Sequence, residues 1–120
     1  MEIETAVDRL SALAQTSRLA VFRLLVKAGP DGLAAGEIAR ALDVAPNTLS
    51  AQLSQLSRAG LVRQRREGRS LIYSVAFETM SDLLLYLMED CCQGHSDICT
   101  PVVEAAARGA CCPPQPESLS

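Results

Sequence analysis

The cysteines of this 120-residue chain are the residues best suited to chemistry, and all five lie in its last thirty residues. They form an adjacent pair, Cys91-Cys92, a single Cys99 and a second adjacent pair, Cys111-Cys112. Soft ions prefer thiolate ligands, and trivalent arsenic or antimony, which keeps a lone pair, takes three sulfurs in a pyramid. Cys91, Cys92 and Cys99 supply that number within nine residues. The spacing predicts a thiolate site for As(III), with Sb(III) as a second candidate.

Other uses of these thiols stay open on the sequence alone. If His95 coordinates, a divalent ion such as zinc, cadmium or lead is favoured, because mixed His and Cys ligands suit tetrahedral sites. The adjacent pairs also suit a thiol-redox switch, and any cysteine can be an inert small hydrophobe. Cys111-Cys112 is a spectator, an auxiliary pair for a methylated arsenical or a relay for the ion. A small thiol oxidoreductase is disfavoured, since the chain has no Cys-x-x-Cys motif within a βαβ pattern.

Composition and charge exclude several classes of protein. The 48% apolar content is typical of a globular fold, and four aromatic residues without tryptophan disfavour a single-strand binder that stacks bases. The acidic N-terminus lacks the features of a secretory signal, and the longest apolar run, 83–88, is too short to span a membrane. Glycine-rich phosphate loops and nucleophile motifs are absent. We therefore expect a cytoplasmic protein without a membrane partner, an organic cofactor or enzymatic activity.

Hydrophobic periodicity predicts a mainly helical chain. The first helix, 3–14, has an apolar stripe, and a second apolar helix begins at the cap signal Thr16-Ser17 and ends at Gly29. A later helix, 78–92, is apolar on more than one face, which indicates a partner helix and a dimer interface that includes the first helix. A last short helix is predicted at 102–108. The stripe of the first helix consists of Ile3, Val7, Leu10 and Leu13.

Between these helices the chain has the order helix, three-residue turn, helix, hairpin. A short helix, 35–42, and the turn 43–45 precede Pro46, which opens a helix to residue 59 with a leucine stripe. From residue 61 the period changes to two, which predicts a β-hairpin with an arginine-rich tip, 65–69. This order is that of a winged helix-turn-helix, whose second helix enters the major groove of DNA. The leucines are Leu49, Leu53 and Leu56.

The predicted DNA contacts lie on the second helix and the hairpin. Polar side chains of the helix suit base edges, and arginines suit phosphates. Residues 46–76 contain five basic and one acidic residue, a net charge of +4, whereas residues 77–120 contain one basic and seven acidic residues, a net charge of −6. The chain's formal charge of −3 therefore hides a localised basic module. The candidate base contacts are Asn47, Ser50, Gln52 and Gln55, and the candidate phosphate contacts are Arg58, Arg65, Arg66 and Arg69.

Three stretches carry a resemblance to a known family. They are LAAGEIARAL at 33–42, PNTLSAQLSQL at 46–56, and AGLV at 59–62 followed by RREGRSLIY at 65–73. Together they resemble the ArsR family of winged-helix, metal- and metalloid-responsive repressors over about residues 5–92. The resemblance implies a homodimer through the first and last helices, an operator of double-stranded DNA with two half-sites, and release by an inducer. The family often has Ser-Arg-His-Leu where this chain has Ser50-Ala51-Gln52-Leu53.

The cysteine pattern also bears on this resemblance. The Cys-Val-Cys motif of the founding family members is absent, because Ala35-Gly36-Glu37-Ile38 stands in its place. A vicinal Cys-Cys and a third Cys after the last helix resemble the arsenite-responsive subgroup. We therefore predict a mainly α (α+β) fold, a winged helix-turn-helix with a two-stranded wing. The predicted divisions are a DNA-binding and dimerisation domain at 1–92, an inducer-binding segment at 93–110 and a tail at 111–120.

Overall fold

A computed structural model describes residues 1–88 of the chain. Residues Met1–Tyr86 form one compact unit, and the second unit begins at Leu87, so little of it falls within the described part. The five cysteines, the predicted helix 102–108, the inducer-binding segment and the tail all lie outside the described residues.

The described residues form five α-helices and a three-stranded antiparallel sheet, as in a winged helix-turn-helix. Helix α3 and the start of α4 coincide with the prediction, and α5 is described to Met88. Among these residues no helix is long and apolar enough to cross a membrane. The helices are α1 Ile3–Leu13, α2 Thr16–Ala28, α3 Ala35–Leu42, α4 Pro46–Arg58 and α5 Phe77–Met88, and the strands are β1 Leu33–Ala34, β2 Val62–Glu67 and β3 Ser70–Val75.

Local chemistry explains where the central helices begin and end. Asp43 ends α3 in the left-handed conformation, with φ of 53°, and Pro46 occupies the first turn of α4, where its missing N–H costs nothing. The predicted cap of α2 was wrong by one residue. Thr16 is already helical, and Gln15 is the cap, its side-chain oxygen accepting a hydrogen bond from the backbone N–H of Arg18 at 3.3 Å.

The sheet has the strand order β1-β3-β2, so the predicted two-stranded wing gains a third, short strand. In the β2–β3 hairpin, Glu67 pairs with Ser70. Gly68 has φ of 63° at the first of the two loop residues, the position where type II′ turns require glycine. Strand β1 pairs Leu33 with Tyr73, and a Cβ at Gly32 would clash with the Tyr73 carbonyl oxygen. This close approach explains the glycine before β1.

The core lies where α2, α3 and α4 meet the base of the hairpin. The leucine stripe of α4 is buried as predicted. Helix α1 differs, because Ala6 and Ala12 face the core, while Ile3, Val7 and Leu10 remain 63%, 53% and 38% exposed. Of its apolar stripe only Leu13 packs against the core. The largest fully buried side chains are Leu25, Ile38, Leu56, Leu61, Leu83 and Val21.

Candidate nucleic-acid interface

The outward face of α4 is polar and built from small or hydrogen-bonding side chains. Asn47, Ser50, Gln55 and Arg58 are exposed, because the leucine stripe at i, i+4 and i+7 turns the opposite side of the helix to solvent. Ala51 is exposed on the same face. Such a face fits the width of a DNA major groove and presents donors and acceptors to base edges.

A groove of about 420 Å³ runs between α4 and the hairpin. Gln64 and Tyr73 are directly paired across β2 and β3, so both side chains lie on the sheet face that turns towards α4. This pair was not predicted as part of the site, although the strand alternation already puts Gln64 and Tyr73 on sheet faces that can be assigned from the sequence. The lining residues are Ser50, Ser54, Ser57, Arg58, Gln64 and Tyr73.

A second groove, of about 340 Å³, lies on the other flank of α4, against α1 and the start of α2. Arg18 and Arg58 place two guanidinium groups in it, and Asp8 places one carboxylate. Gln55 lines this groove as well. The exposed ridge of α4, formed by Asn47, Ser50, Gln55 and Arg58, therefore lies between two polar grooves. Arg18 is a further residue of this site that was not predicted from the sequence.

The predicted phosphate contacts of the wing fall into two groups. Arg66 and Arg69 are exposed and form no ion pair within the described residues. Arg65 is instead held against the body of the protein: its Nε donates to Glu67 Oε2 at 2.7 Å, and its Nη2 donates to the Asp31 carbonyl at 3.0 Å. Its charge is therefore partly offset, and its geometry suits it to anchoring the wing.

Gln52 is the predicted base contact that the structure places apart from the others. It is half-buried on the flank of α4 that faces α2, and its Oε1 accepts a hydrogen bond from Arg18 Nη1 at 3.4 Å. It also lines a mostly apolar cavity of about 220 Å³ between α2, the turn after α3 and the start of α4. Gln52 therefore belongs to a different environment from the exposed ridge.

The predicted thiolate site is a separate matter, because Cys91, Cys92, Cys99, Cys111 and Cys112 lie outside the described residues. Within residues 1–88, no group of three or more His, Cys, Asp or Glu side chains is arranged to hold a metal ion.

The chain is similar in sequence and fold to known transcriptional regulators. A helix-turn-helix domain model matches residues 13–65. HlyU from Vibrio cholerae is 32% identical, with a TM-score of 0.58 over 72% of this chain and 97% of that chain. A crystallised Mycobacterium bovis fragment is 31% identical, with a TM-score of 0.59 over 72% of this chain and 89% of that one. The solution structure of the corresponding fragment, 29% identical, is titled a homodimeric winged helix-turn-helix DNA-binding domain of "a possible ArsR-family transcriptional regulator".

The chain belongs to the ArsR family of winged helix-turn-helix transcriptional regulators. A further relative, from Halobacterium salinarum and named "Putative arsenical resistance operon repressor ArsR", is 42% identical over 67 residues. The matched region is 56% of this chain and 51% of that protein, so the chain spans about half the length of this relative. The family is one of DNA-binding regulators and not of enzymes.

Proposed function

We propose that this ArsR-family chain is an As(III)-responsive transcriptional repressor that binds double-stranded operator DNA as a homodimer. The observation that carries the DNA-binding part is the exposed polar ridge of α4 beside a wing with two unpaired arginines, Arg66 and Arg69, among the described residues. The helix supplies side chains for base edges, and the wing supplies cations for phosphates.

The homodimer rests on the exposed apolar residues of the first and last helices. Ile3 and Val7 on α1 and Leu84 and Leu85 on α5 are each more than half exposed, which is unfavourable in water. A second copy of the chain presents the same surfaces and buries them. The M. bovis relative is titled homodimeric, which supports the same assembly here. A dimer also presents two copies of α4 to two operator half-sites.

The inducer site proposed is the thiolate set Cys91, Cys92 and Cys99, at the junction of the predicted domain 1–92 and segment 93–110. Three soft sulfur donors match the ligand number of As(III), and Sb(III) shares that chemistry. Cys111 and Cys112 are proposed as an auxiliary pair. Ion binding at these cysteines, which follow α5 in the sequence, alters the dimer contact and so the spacing of the two α4 helices. A coupling free energy of about 1–3 kcal/mol then lowers DNA affinity several-fold to a hundredfold.

The test begins with an operator selected from randomised duplex DNA by the reduced full-length protein. We expect arsenite to release the dimer, and Cys91→Ser, Cys92→Ser and Cys99→Ser each to keep operator affinity while losing release. Cys111→Ser serves as the matched control, with release retained at the primary site. Release of all three variants by arsenite contradicts the proposed site, and a wild-type protein that selects no operator contradicts DNA recognition.

A thiol-redox response is the second candidate. The adjacent cysteine pairs favour it. A solved structure of the relative HlyU, 30% identical over 90% of that chain, also favours it, because its title describes the reduced form. Peroxide treatment of the reduced protein separates this candidate from metalloid binding, because only a redox switch releases DNA without added ion. Titration with zinc, cadmium and lead tests divalent inducers in the same assay. HlyU is named a transcriptional activator, so a reporter gene determines the sign of regulation.

A further inference from the structure

Helix α1 has few large side chains on the face that it turns to the rest of the protein. Within residues 1–88, its buried residues are Ala6 and Ala12, and of its apolar stripe only Leu13 packs against the core. An alanine side chain buries a single methyl group, so these contacts give the helix little apolar attachment. Polar contacts therefore have a larger part in fixing where α1 lies.

Arg9 provides one such contact, between α1 and the end of α4. It is half-buried, and its Nε donates to the carbonyl oxygen of Ala59 at 3.3 Å. Ala59 is the C-cap of α4, where backbone carbonyls have no partner within the helix and the helix dipole favours a cation. Arg9 Nη2 also lies 3.9 Å from the position that a Cβ would take at Gly60. The guanidinium group therefore covers the C-terminal end of α4.

Arg18 provides a second contact between the same two helices. Its Nε donates to the carbonyl oxygen of Ala12 at 2.7 Å, in the last turn of α1, and its Nη1 lies 3.4 Å from Gln52 Oε1 on α4. Gln52 and Ala59 are separated by about two turns of α4. Two contacts at separate points along a helix fix its direction as well as its position. The arginines therefore hold α1 at one angle to α4.

We propose that Arg9 and Arg18 are positioning residues that determine which spacing of operator half-sites the dimer accepts. The exposed side of α1, with Ile3 and Val7, is the proposed contact with the second copy, and α4 is the proposed DNA-contacting helix. Because α1 is held to α4 in each copy, the two α4 helices of the dimer keep one separation and one rotation. Such a pair matches half-sites at one spacing on the duplex. This inference rests on the proposed function, since it requires both the dimer and α4 in the major groove.

The experiment measures DNA affinity against the distance between half-sites. It uses the operator selected by the wild-type protein and derivatives with one base pair added or removed between the half-sites. Each change moves one half-site by about 3.4 Å along the duplex axis and about 35° around it. We expect the wild type to lose at least about tenfold in affinity, and Arg9→Met to lose at most about threefold, because α4 can then turn relative to α1.

A duplex with a single half-site separates spacing from base contact. The wild type and Arg9→Met should bind it with Kd values within about twofold of each other, because the exposed ridge of α4 is unchanged. The dimer Kd, measured by sedimentation equilibrium, should also stay unchanged, since Arg9 contacts α4 of its own chain.

Three further variants serve as rescue, second test and control. Arg9→Gln should restore the wild-type dependence on spacing: glutamine Nε2 is as many bonds from Cα as arginine Nε, so it can donate to the Ala59 carbonyl without the charge. Arg18→Met removes the other contact and should also broaden the accepted spacing, which tests the inference should Arg9→Met fail to fold. Arg23→Met is the matched control, because Arg23 is exposed on α2 and loses the same charge and side chain. It should keep the wild-type dependence on spacing.

Two results overturn the inference while leaving the proposed function intact. One is a wild-type dimer that binds the operators of altered spacing within about threefold of the selected one. The other is an unchanged dependence on spacing in Arg9→Met and Arg18→Met, with only a uniform loss of affinity, as expected if the arginines only stabilise the fold. A wild-type protein that selects no operator, or that binds it without dimerising, contradicts the proposed function as well.

Discussion

Helices α1 and α4 differ in which face has the larger side chains: the inward face in α4 and the outward face in α1. In α4 the leucines Leu49, Leu53 and Leu56 point inward and are at most 2% exposed, while small residues such as Ala51 point outward. In α1 the alanine Ala6 points inward, and the larger Val7 points outward at 53% exposure. Both helices are amphipathic, but within residues 1–88 the leucines of α4 are covered by other parts of the chain, whereas Ile3, Val7 and Leu10 of α1 are not.

The chemistry of each outward face indicates the kind of surface that it can contact. The small, polar outer face of α4 allows a rigid, charged surface to come close without burying apolar groups. Exposure of the apolar outer face of α1 to water is unfavourable, and covering it with a second apolar surface lowers the free energy. One helix therefore suits a nucleic acid, and the other suits a protein partner.

The largest effect is expected from removing a leucine on the inward side of α4. Leu56→Ala leaves a cavity at a site that is 0% exposed, and should lower the free energy of unfolding by about 2–5 kcal/mol. Leu10→Ala is the matched substitution on the outward side of α1, where Leu10 is 38% exposed, and should cost the monomer less than about 1 kcal/mol. Urea unfolding at a protein concentration that keeps the chain monomeric measures both. Equal losses would show that α1 buries its stripe within one chain.

A charge on the outward face of α1 is expected to have an intermediate effect. Val7→Glu, alone or with Leu85→Glu, places a carboxylate in the proposed contact between copies and should raise the dimer Kd at least tenfold, about 1.4 kcal/mol. Operator affinity should fall with it, while the helical circular dichroism signal stays unchanged. Asp8→Asn, also one unit of charge on α1 but on its polar side, is the control. Sedimentation equilibrium provides the measurement, and an unchanged dimer Kd in Val7→Glu would assign this face to another partner.

The smallest effects are expected in the wing, which extends the outward side of α4. Arg66→Gln and Arg69→Gln should each reduce the slope of log K against log salt for DNA binding by about 0.9, the contribution of one phosphate contact. Arg65→Gln should change the slope less, because its guanidinium group already bonds to Glu67 and Asp31. Binding titrations over a range of salt concentrations, with Arg23→Gln as control, measure the slopes. An Arg65 effect as large as that of Arg66 would contradict the anchoring role.

The elements of the winged helix-turn-helix followed from local signals. Helix α3, the turn that ends at Pro46 and the hairpin were predicted nearly to the residue, because glycine, proline and the apolar period act within a few neighbouring residues. Strand β1 was missed, since two residues have no period and the strand exists only by pairing with β3, about forty residues later in the sequence. The cap of α2 was misplaced because Gln15 supplies the oxygen, and glutamine is less common at a helix N-cap than threonine or serine.

The candidate site was predictable in outline. The exposed ridge of Asn47, Ser50, Gln55 and Arg58 follows from the leucine stripe alone. The bonds between Arg18 and Gln52 and between Arg65 and Asp31 do not, because in each case the two residues are 34 positions apart in the sequence. They divide the predicted DNA contacts into exposed groups and groups held by the protein itself.

The order of apolar and polar residues was enough to predict the type, order and amphipathic faces of the helices and the hairpin, because their periods are properties of the local backbone. It also determined that the basic residues concentrate in 46–76 and the cysteines after residue 90. Three features emerge only from the folded chain: Ile3, Val7 and Leu10 of the α1 stripe face outward, Gln52 turns its oxygen to Arg18, and Arg65 anchors the wing. Those features depend on which distant segments pack together, and the spacing of residues within one element does not identify the element against which it packs.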